Sequence, residues 1–280
     1  MVKISDVLKT TAERLKKADI DTASLDARLL LCEYLKRDKL YLIVHSDEEI
    51  AVDEAFEKLV ARRENHEPMQ YILGKAEFYG LEFVVNENVL IPRPDTEILV
   101  ERVIDFVGNN PYTVLDIGTG SGCIPITVAA NCENVRAITV DISKEATAVA
   151  KKNARLNGVE ERVSFLNMDI LNSFPYTEVE CIVSNPPYIE DDVVSTLMSD
   201  VKDYEPQIAL KGGADGLVFY RRIAEKGFEI IKDGGLIAFE VGYDQARAVS
   251  LILEGNGFTD IITFKDFAGI ERVVCGTKRI

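Results

Sequence analysis

Histidine is almost absent from this 280-residue chain: His45 and His66 are the only two. A histidine-based metal site or a Ser-His-Asp triad therefore cannot readily be assembled, and any catalysis has to run without imidazole. The five cysteines (Cys32, Cys123, Cys132, Cys181, Cys275) are odd in number and form no C-x-x-C pair. They read as reduced, mostly buried thiols of a reducing compartment, with no zinc or disulfide framework. No apolar run approaches a membrane span, and Met-Val-Lys-Ile-Ser-Asp carries neither a signal-peptide core nor an Arg-rich transit pattern, so a cytoplasmic location with no membrane is expected. Cations are also short: 32 Lys plus Arg face 47 Asp plus Glu, a net charge of −15. Duplex-binding proteins rely on basic faces to neutralise phosphate, so direct nucleic-acid binding is not expected.

What is present centres on Val114-Leu-Asp-Ile-Gly-Thr-Gly-Ser-Gly-Cys-Ile-Pro125. A short apolar strand runs into Gly118, Gly120 and Gly122, which lack a Cβ and admit positive φ, and then into a helix N-terminus. Pro125 is acceptable there only in the first helical turn. The spacing is G-x-G-x-G, with Cys123 where a dinucleotide motif needs its last glycine. Asp116 lies just before the turn, where a carboxylate would repel a pyrophosphate but suits the ammonium and sulfonium of S-adenosylmethionine. Two further strands end in acids, Asp141 and Asp169. An acid at Asp141 can accept both hydroxyls of a ribose. Three acids at equivalent strand ends, beside a glycine turn, converge on the crevice where open α/β sheets bind ligands.

The remaining chain fits that frame. Residues 1–67 carry apolar stripes at helical spacing (Ile4, Leu8, Leu15; Leu25, Leu29; Val52, Phe56, Val60) and read as a small bundle without chemistry of its own. Residues 68–90 read as a hairpin linker through Phe78, Gly80, Leu81 and Phe83. Pro92-Arg-Pro-Asp-Thr-Glu follows, with Asp95 or Thr96 as a helix cap and Arg93 as a candidate for a site role. From Thr113 to the end, strand and helix alternate, the pattern of a parallel sheet covered on both faces, and two final strands read as an antiparallel pair.

The fourth strand runs into Asn185-Pro186-Pro187-Tyr188. A planar nitrogen, whether a carboxamide NH₂ or an adenine amino group, is a poor nucleophile because its lone pair is delocalised. The Asn185 side-chain oxygen and the Pro186 carbonyl can accept its two N–H groups and favour the pyramidal form reached in the transition state. Proline holds that carbonyl rigidly, and Tyr188 offers a flat face to an amide or a base. Asn185, Pro186 and Tyr188 are accordingly the expected catalytic residues.

Together these segments resemble the HemK/PrmC family, protein-(glutamine-N5) methyltransferases that modify class-one peptide chain release factors. Beyond the helical N-terminus, the likeness rests on Glu67-Pro with Tyr71-Ile and Gly74, and on Glu77-Phe with Gly80-Leu. It continues through Val89-Leu-Ile-Pro-Arg-Pro-Asp-Thr-Glu, Asp116-Ile-Gly-Thr-Gly-Ser-Gly and Asn185-Pro-Pro-Tyr-Ile. Glu205-Pro, Gly212-Gly, Asp215-Gly and Gly269 with Arg272-Val-Val complete it. The resemblance implies an α/β fold: a seven-stranded Rossmann-like class I methyltransferase sheet over 91–280, with a substrate-binding helical bundle at the N-terminus. It implies S-adenosylmethionine as methyl donor (S-adenosylhomocysteine as product), no metal, and transfer to N5 of the glutamine of a Gly-Gly-Gln motif in the release factor.

By that resemblance Gly118, Thr119, Gly120, Ser121, Gly122 and Asp141 hold the methionine and ribose ends of the donor, with Asp116 expected beside them on the charge argument above, and Asp169 with Ile170 flanks its adenine. Ile170 stands where some relatives carry an aromatic residue. Asn185, Pro186, Pro187 and Tyr188 bind the substrate glutamine, with Asn185 also near the donor. A monomer is expected. The rival readings are N5-methylation of a ribosomal-protein glutamine and, more remotely, N6-adenine methylation of nucleic acid, for which no base-flipping or groove-reading module is evident. A binding module without activity would need the donor pocket but not an intact Asn-Pro-Pro-Tyr.

Overall fold

The computed structural model describes residues 1–279. The backbone divides into two compact units, 1–74 with 198–204, and 75–197 with 205–280. The division falls at Gly74 rather than at residue 67. Met69 and Ile72 pack into the core of the first unit, whereas Phe78 and Phe83 of the hairpin pack into a core of the second. The segment 198–204, which carries no signal of its own in the sequence, belongs to the first unit.

The smaller unit holds helices α1 (Ile4–Lys17), α2 (Ala23–Leu35), α3 (Lys39–Val44), α4 (Glu54–Glu64) and α5 (Met69–Leu73), with a two-residue bridge between β1 (Val2–Lys3) and β2 (Glu49–Ile50). Asp53 caps α4 by accepting the Ala55 and Phe56 amides, and Asp38 caps α3 through the Tyr41 amide. Leu15, Leu30, Leu31, Phe56 and Val60 form its core. Leu25, placed on the apolar stripe of α2 by its spacing, is instead exposed. Asp26 takes the inward face one residue on, where it pairs with Arg63.

The larger unit opens with the hairpin β3 (Lys75–Phe78) and β4 (Leu81–Val84). Its two-residue turn, Tyr79-Gly80, has both φ values positive, at 50° and 73°, the twist that a tight hairpin needs. Helix α6 (Asp95–Val107) then precedes a seven-stranded sheet. Pro94 is its N-cap, without a side-chain bond. Neither Asp95 nor Thr96 caps the helix, because both lie within its first turn and Asp95 faces Arg272. The strands are β5 (Thr113–Ile117), β6 (Arg136–Asp141), β7 (Val163–Asn167), β8 (Val179–Ser184), β9 (Ile231–Glu240), β10 (Phe258–Lys265) and β11 (Glu271–Lys278).

Their spatial order is β10-β11-β9-β8-β5-β6-β7, parallel except where β11 pairs with β9 and β10. This is the sheet expected from the alternating pattern. Helices α7 (Cys123–Asn131), α8 (Lys144–Leu156), α10 (Val218–Ile230) and α11 (Ala246–Gly255) flank it, and α9 (Ser199–Lys202) is the helical part of the segment in the smaller unit. Two apolar cores cover the two faces of the sheet: one gathers α6, α7 and β5 side chains, the other α10, α11 and β9. Because β5 neighbours both β6 and β8, the chain reverses its winding direction there. A crevice therefore opens at the carboxyl ends of β5 and β8.

All five cysteines are free, and Cys132, Cys181 and Cys275 are buried. Burial pushes the Cys123 and Cys275 thiols up to about 12, which keeps them protonated. Among the described residues, no helix is long and apolar enough to cross a membrane.

Candidate active site

The crevice holds a cavity of about 280 Å³. Its floor is the glycine turn after β5. The Gly118 and Thr119 amides donate to the Val140 carbonyl at 2.9 and 3.2 Å, and Gly122 donates to Thr119 at 2.8 Å. Gly118, Gly120 and Gly122 have φ of 85°, 51° and 82°, a conformation that L side chains adopt only with strain. The backbone is thereby bared toward the cavity at Gly118, Thr119, Gly120 and Ser121, all of which line it. Gly122 does not. It is the N-cap of α7, where an added Cβ would fall 2.7 Å from Ile126 and 3.1 Å from Ala150, so its role is helix packing. Pro125 lies in the first turn of α7, where its missing N–H breaks no helical bond.

Asp141, at the end of β6, lines the cavity. One carboxylate oxygen accepts the Gly120 amide at 2.9 Å and the other the Ser143 amide at 2.8 Å. Burial pushes its carboxyl up, while those amides hold it down. Each oxygen keeps a lone pair beyond the bond it already accepts, so the group can take two neighbouring hydroxyls at once. Asp169 is fixed in the same manner, accepting from the Leu171 amide at 2.9 Å and the Asn172 side chain at 2.6 Å. Ile170 lines the wall beside it as a buried aliphatic surface. A ligand with a vicinal diol and a flat apolar ring fits this half.

The other half is built by the segment after β8. Asn185, Pro186 and Pro187 line the cavity, and the Asn185 carbonyl lies 3.8 Å from where a Gly118 Cβ would stand. A Cβ there would make only ordinary contact, so it is the φ of 85° rather than lack of space that favours glycine at 118. The segment is clamped from behind. Gln245 donates to the Tyr188 carbonyl at 2.9 Å and accepts the Gly242 amide at 3.1 Å. At Gly212 an added Cβ would fall 2.8 Å from the Pro187 carbonyl, and at Gly216 it would collide with the Tyr188 carbonyl. The Gly212-Gly and Asp215-Gly signals are thus explained by backbone packed on backbone.

Besides Gly122, two further expected site residues stand elsewhere. The Asp116 side chain is wholly buried and does not line the cavity. Its Oδ2 accepts from the Thr139 hydroxyl at 2.5 Å, its Oδ1 has no partner, and complete burial pushes the carboxyl up to about 7. The sequence places Asp116 next to the turn, but strand alternation turns its side chain into the sheet's face rather than out of the strand end. Tyr188 is half-buried behind the cavity, against the α10 and β9 core, and burial pushes its hydroxyl to about 12. It supports the Pro187 turn and offers no face to the cavity.

The tertiary structure adds Thr96 and Glu240 and gives Arg93, already a candidate from its sequence setting, a partner. Arg93 lines the cavity mouth, and one guanidinium nitrogen reaches both oxygens of the buried Glu205, at 2.7 and 2.8 Å. Thr96 lines the cavity beside Asn185, whose amide nitrogen donates to the Thr96 hydroxyl at 3.4 Å. Glu240, at the end of β9, is buried next to both. The rigid Pro-Arg-Pro setting was the only sequence signal for any of the three. The two histidines lie in the smaller unit and contribute nothing to the cavity.

The chain matches two family models, that of the "PrmC N-terminal domain" over residues 6–74 and that of the "Methyltransferase small domain" over residues 94–204. It is 44% identical over 284 residues to a release factor glutamine methyltransferase of Clostridium acetobutylicum, covering 99% of both chains. A release factor glutamine methyltransferase of Clostridium botulinum is also 44% identical, over 94% of this chain and 95% of that one. Among solved structures, a methyltransferase from Pyrococcus furiosus shares the fold with a TM-score of 0.53 at 18% identity, covering 72% of this chain and 91% of that one. Similarity at this level, running through both the helical N-terminus and the sheet, shows that the chain belongs to the release factor glutamine methyltransferase family.

Proposed function

We propose that this chain transfers a methyl group from S-adenosylmethionine to the side-chain amide nitrogen, N5, of the glutamine in the Gly-Gly-Gln motif of a class-one peptide chain release factor. The observation that carries the reading is that the bared glycine turn with Asp141 and the Asn185-Pro-Pro segment open on one cavity. Relatives 44% identical over nearly the full length bear the name of that activity.

Bound S-adenosylmethionine supplies an electrophilic methyl carbon on a sulfonium. In this reading the protein's own groups bind and orient. Asp141 accepts the two ribose hydroxyls, and the backbone from Gly118 to Ser121 meets the amino-acid end. Asp169 and Ile170 border the adenine, Ile170 by apolar contact rather than aromatic stacking. The Asn185 side-chain oxygen and the Pro186 carbonyl accept the two N–H groups of the glutamine amide. Both acceptors strengthen their hold as the nitrogen becomes pyramidal, so they favour the transition state over the ground state. Prolines on both sides of that carbonyl fix its direction, which makes placement the main contribution.

The smaller unit carries no cavity-lining residue, and we assign it the grip on the release factor. The protein acts, in this reading, as a cytoplasmic monomer that does not hold nucleic acid.

The test is to incubate the protein with isotopically labelled donor and, separately, purified release factor, ribosomal protein and DNA, and to locate the label by mass spectrometry. Label on the amide nitrogen of the Gly-Gly-Gln glutamine is expected. Label only in the ribosomal protein or on adenine would overturn the assignment.

A further inference from the structure

Glu240 is a buried acid that the reading above leaves without a task. Strands β8 and β9 are parallel, with Ser184 opposite Phe239, so Asn185 and Glu240 follow as neighbours at adjacent strand ends. Thr96, from the first turn of α6, completes the cluster. Glu240 is 4% exposed and Thr96 2%, and one Glu240 oxygen, Oε2, has no partner. The Glu240 carboxylate lies beside the Thr96 hydroxyl and the Asn185 amide, whose polar hydrogens favour its ionised form, and Asn185 donates to Thr96 at 3.4 Å.

The chemistry of the three groups allows one arrangement. An ionised carboxylate only accepts. The single Thr96 proton therefore goes to Glu240, which leaves the Thr96 oxygen free to accept from Asn185. Both hydrogens of the Asn185 amide are then drawn toward this cluster. A flipped Asn185 would set its own oxygen against the carboxylate, in a place too buried for water to screen the repulsion.

We infer that Glu240 is a positioning residue: with Thr96 it fixes which end of the Asn185 amide faces the cavity, so that Oδ1 is presented there as an acceptor. The inference rests on the reading of Asn185 as the acceptor for the substrate amide. The charged groups around Glu240 are Asp95 on α6 and Arg272 on β11, and the neutral titratable ones are the Cys123 thiol on α7 and the Tyr188 and Tyr220 hydroxyls. Arg272 is engaged with Asp95 at 3.3 Å and Asp266 at 3.0 Å. The Glu240 backbone carbonyl accepts from Tyr220 at 2.8 Å, which pins the strand end. Burial, with Asp95 adding to it, brings the Glu240 carboxyl to about 7 against the neighbouring Thr96 hydroxyl, Arg272 and the Asn185 amide. Once protonated, it gains an O–H that can serve a flipped amide, and the selection is lost.

The experiment uses the full chain and purified release factor in single-turnover assays at saturating donor. Glu240→Gln, which can donate as well as accept, should slow methyl transfer on the order of 10-fold while leaving donor affinity unchanged. In the Asn185→Ala background it should slow nothing further, because both act through one amide. In ¹⁵N-labelled wild-type protein the Asn185 side-chain resonances should titrate near pH 7, and in Glu240→Gln they should not. Transfer at the wild-type rate in Glu240→Gln, or additive slowing in the double variant, overturns the inference. An Asn185→Ala protein that turns over like wild type refutes the reading of Asn185 itself. Should Glu240→Gln fail to fold, Thr96→Val must show the same slowing at unchanged donor affinity, and Thr96→Ser must restore the rate; failure of either overturns the inference equally.

Discussion

Asp141 and Gly120 are joined by a 2.9 Å hydrogen bond from the glycine amide to a carboxylate oxygen, which ties the end of β6 to the turn after β5. The same carboxylate therefore shapes the turn and faces the cavity. Asp141→Ala is expected to weaken S-adenosylmethionine binding by roughly 1.5–3 kcal/mol, the worth of hydrogen bonds to a charged acceptor. Titration calorimetry on folded protein measures it, and unchanged donor affinity would remove Asp141 from the site.

Asn185→Ala should reduce single-turnover methylation by about 10²–10³-fold, by analogy with the loss of one preorganised polar contact to a transition state. Donor affinity should barely move, since the glycine turn and Asp141 are untouched. Asn185→Gln keeps the amide but displaces it by a methylene and should also be slow. Wild-type rates in either variant mean that Asn185 only shapes its turn.

Gly120 and Gly122 separate two uses of glycine. Both have positive φ, but a Cβ meets nothing within 4 Å at Gly120 and lies 2.7 Å from Ile126 at Gly122. Gly120→Ala carries backbone strain alone, about 1–2 kcal/mol. Gly122→Ala adds overpacking and should lose about 1–3 kcal/mol more. Denaturant unfolding of the two variants gives the order, and equal losses would refute the packing role.

In the smaller unit, Arg63 donates to Asp26 at 2.8 Å and to Asp200 at 3.2 Å, with Arg63 and Asp26 both buried. Arg63→Ala leaves the Asp26 charge buried and should destabilise the unit by about 3–5 kcal/mol. Replacing the pair together, Arg63→Met with Asp26→Leu, should recover most of that loss. A double variant as unstable as Arg63→Ala would show that the pair does more than neutralise itself.

Asp116 sets a pH dependence of stability. Burial, helped by the Asp141 charge and opposed by the Thr139 hydrogen bond, raises its carboxyl from 3.8 to about 7. Between about pH 4 and pH 7 the native state holds a proton that the unfolded chain has released. This contribution is therefore complete below the unfolded value and is lost as pH rises through the folded one. Asp116→Asn abolishes it. Relative to wild type, the variant should gain up to about 1.4 kcal/mol per pH unit across that window. Parallel stability curves for the two proteins from pH 4 to pH 8 would contradict the buried titration.

Much of the fold follows from local order in the chain. Glycine at three alternate positions, apolar strands alternating with amphipathic helices, and the Ser143 cap with its Asn157-Gly158 stop need no distant partner to be read. One half of the cavity lining was legible for the same reason: Gly118, Gly120, Asp141 and Asp169 sit at or just past strand ends, and strand ends of a parallel sheet share one edge. Asn185-Pro-Pro was legible because its chemistry is unusual.

Side-chain direction and partners distant in sequence were not legible. Asp116 and Asp141 look alike as strand-end acids, yet one points into the sheet and the other into the cavity, and only the pleat of the assembled sheet decides which. Tyr188 looks like a binding face until the α10 and β9 core covers it. Glu205 for Arg93, Glu240 and Thr96 for Asn185, and Asp200 for Arg63 are contacts between segments tens of residues apart or more, brought together by strand order and loop return. A sequence declares which groups can interact. Burial and register, which exist only once the chain has folded, decide which of them do.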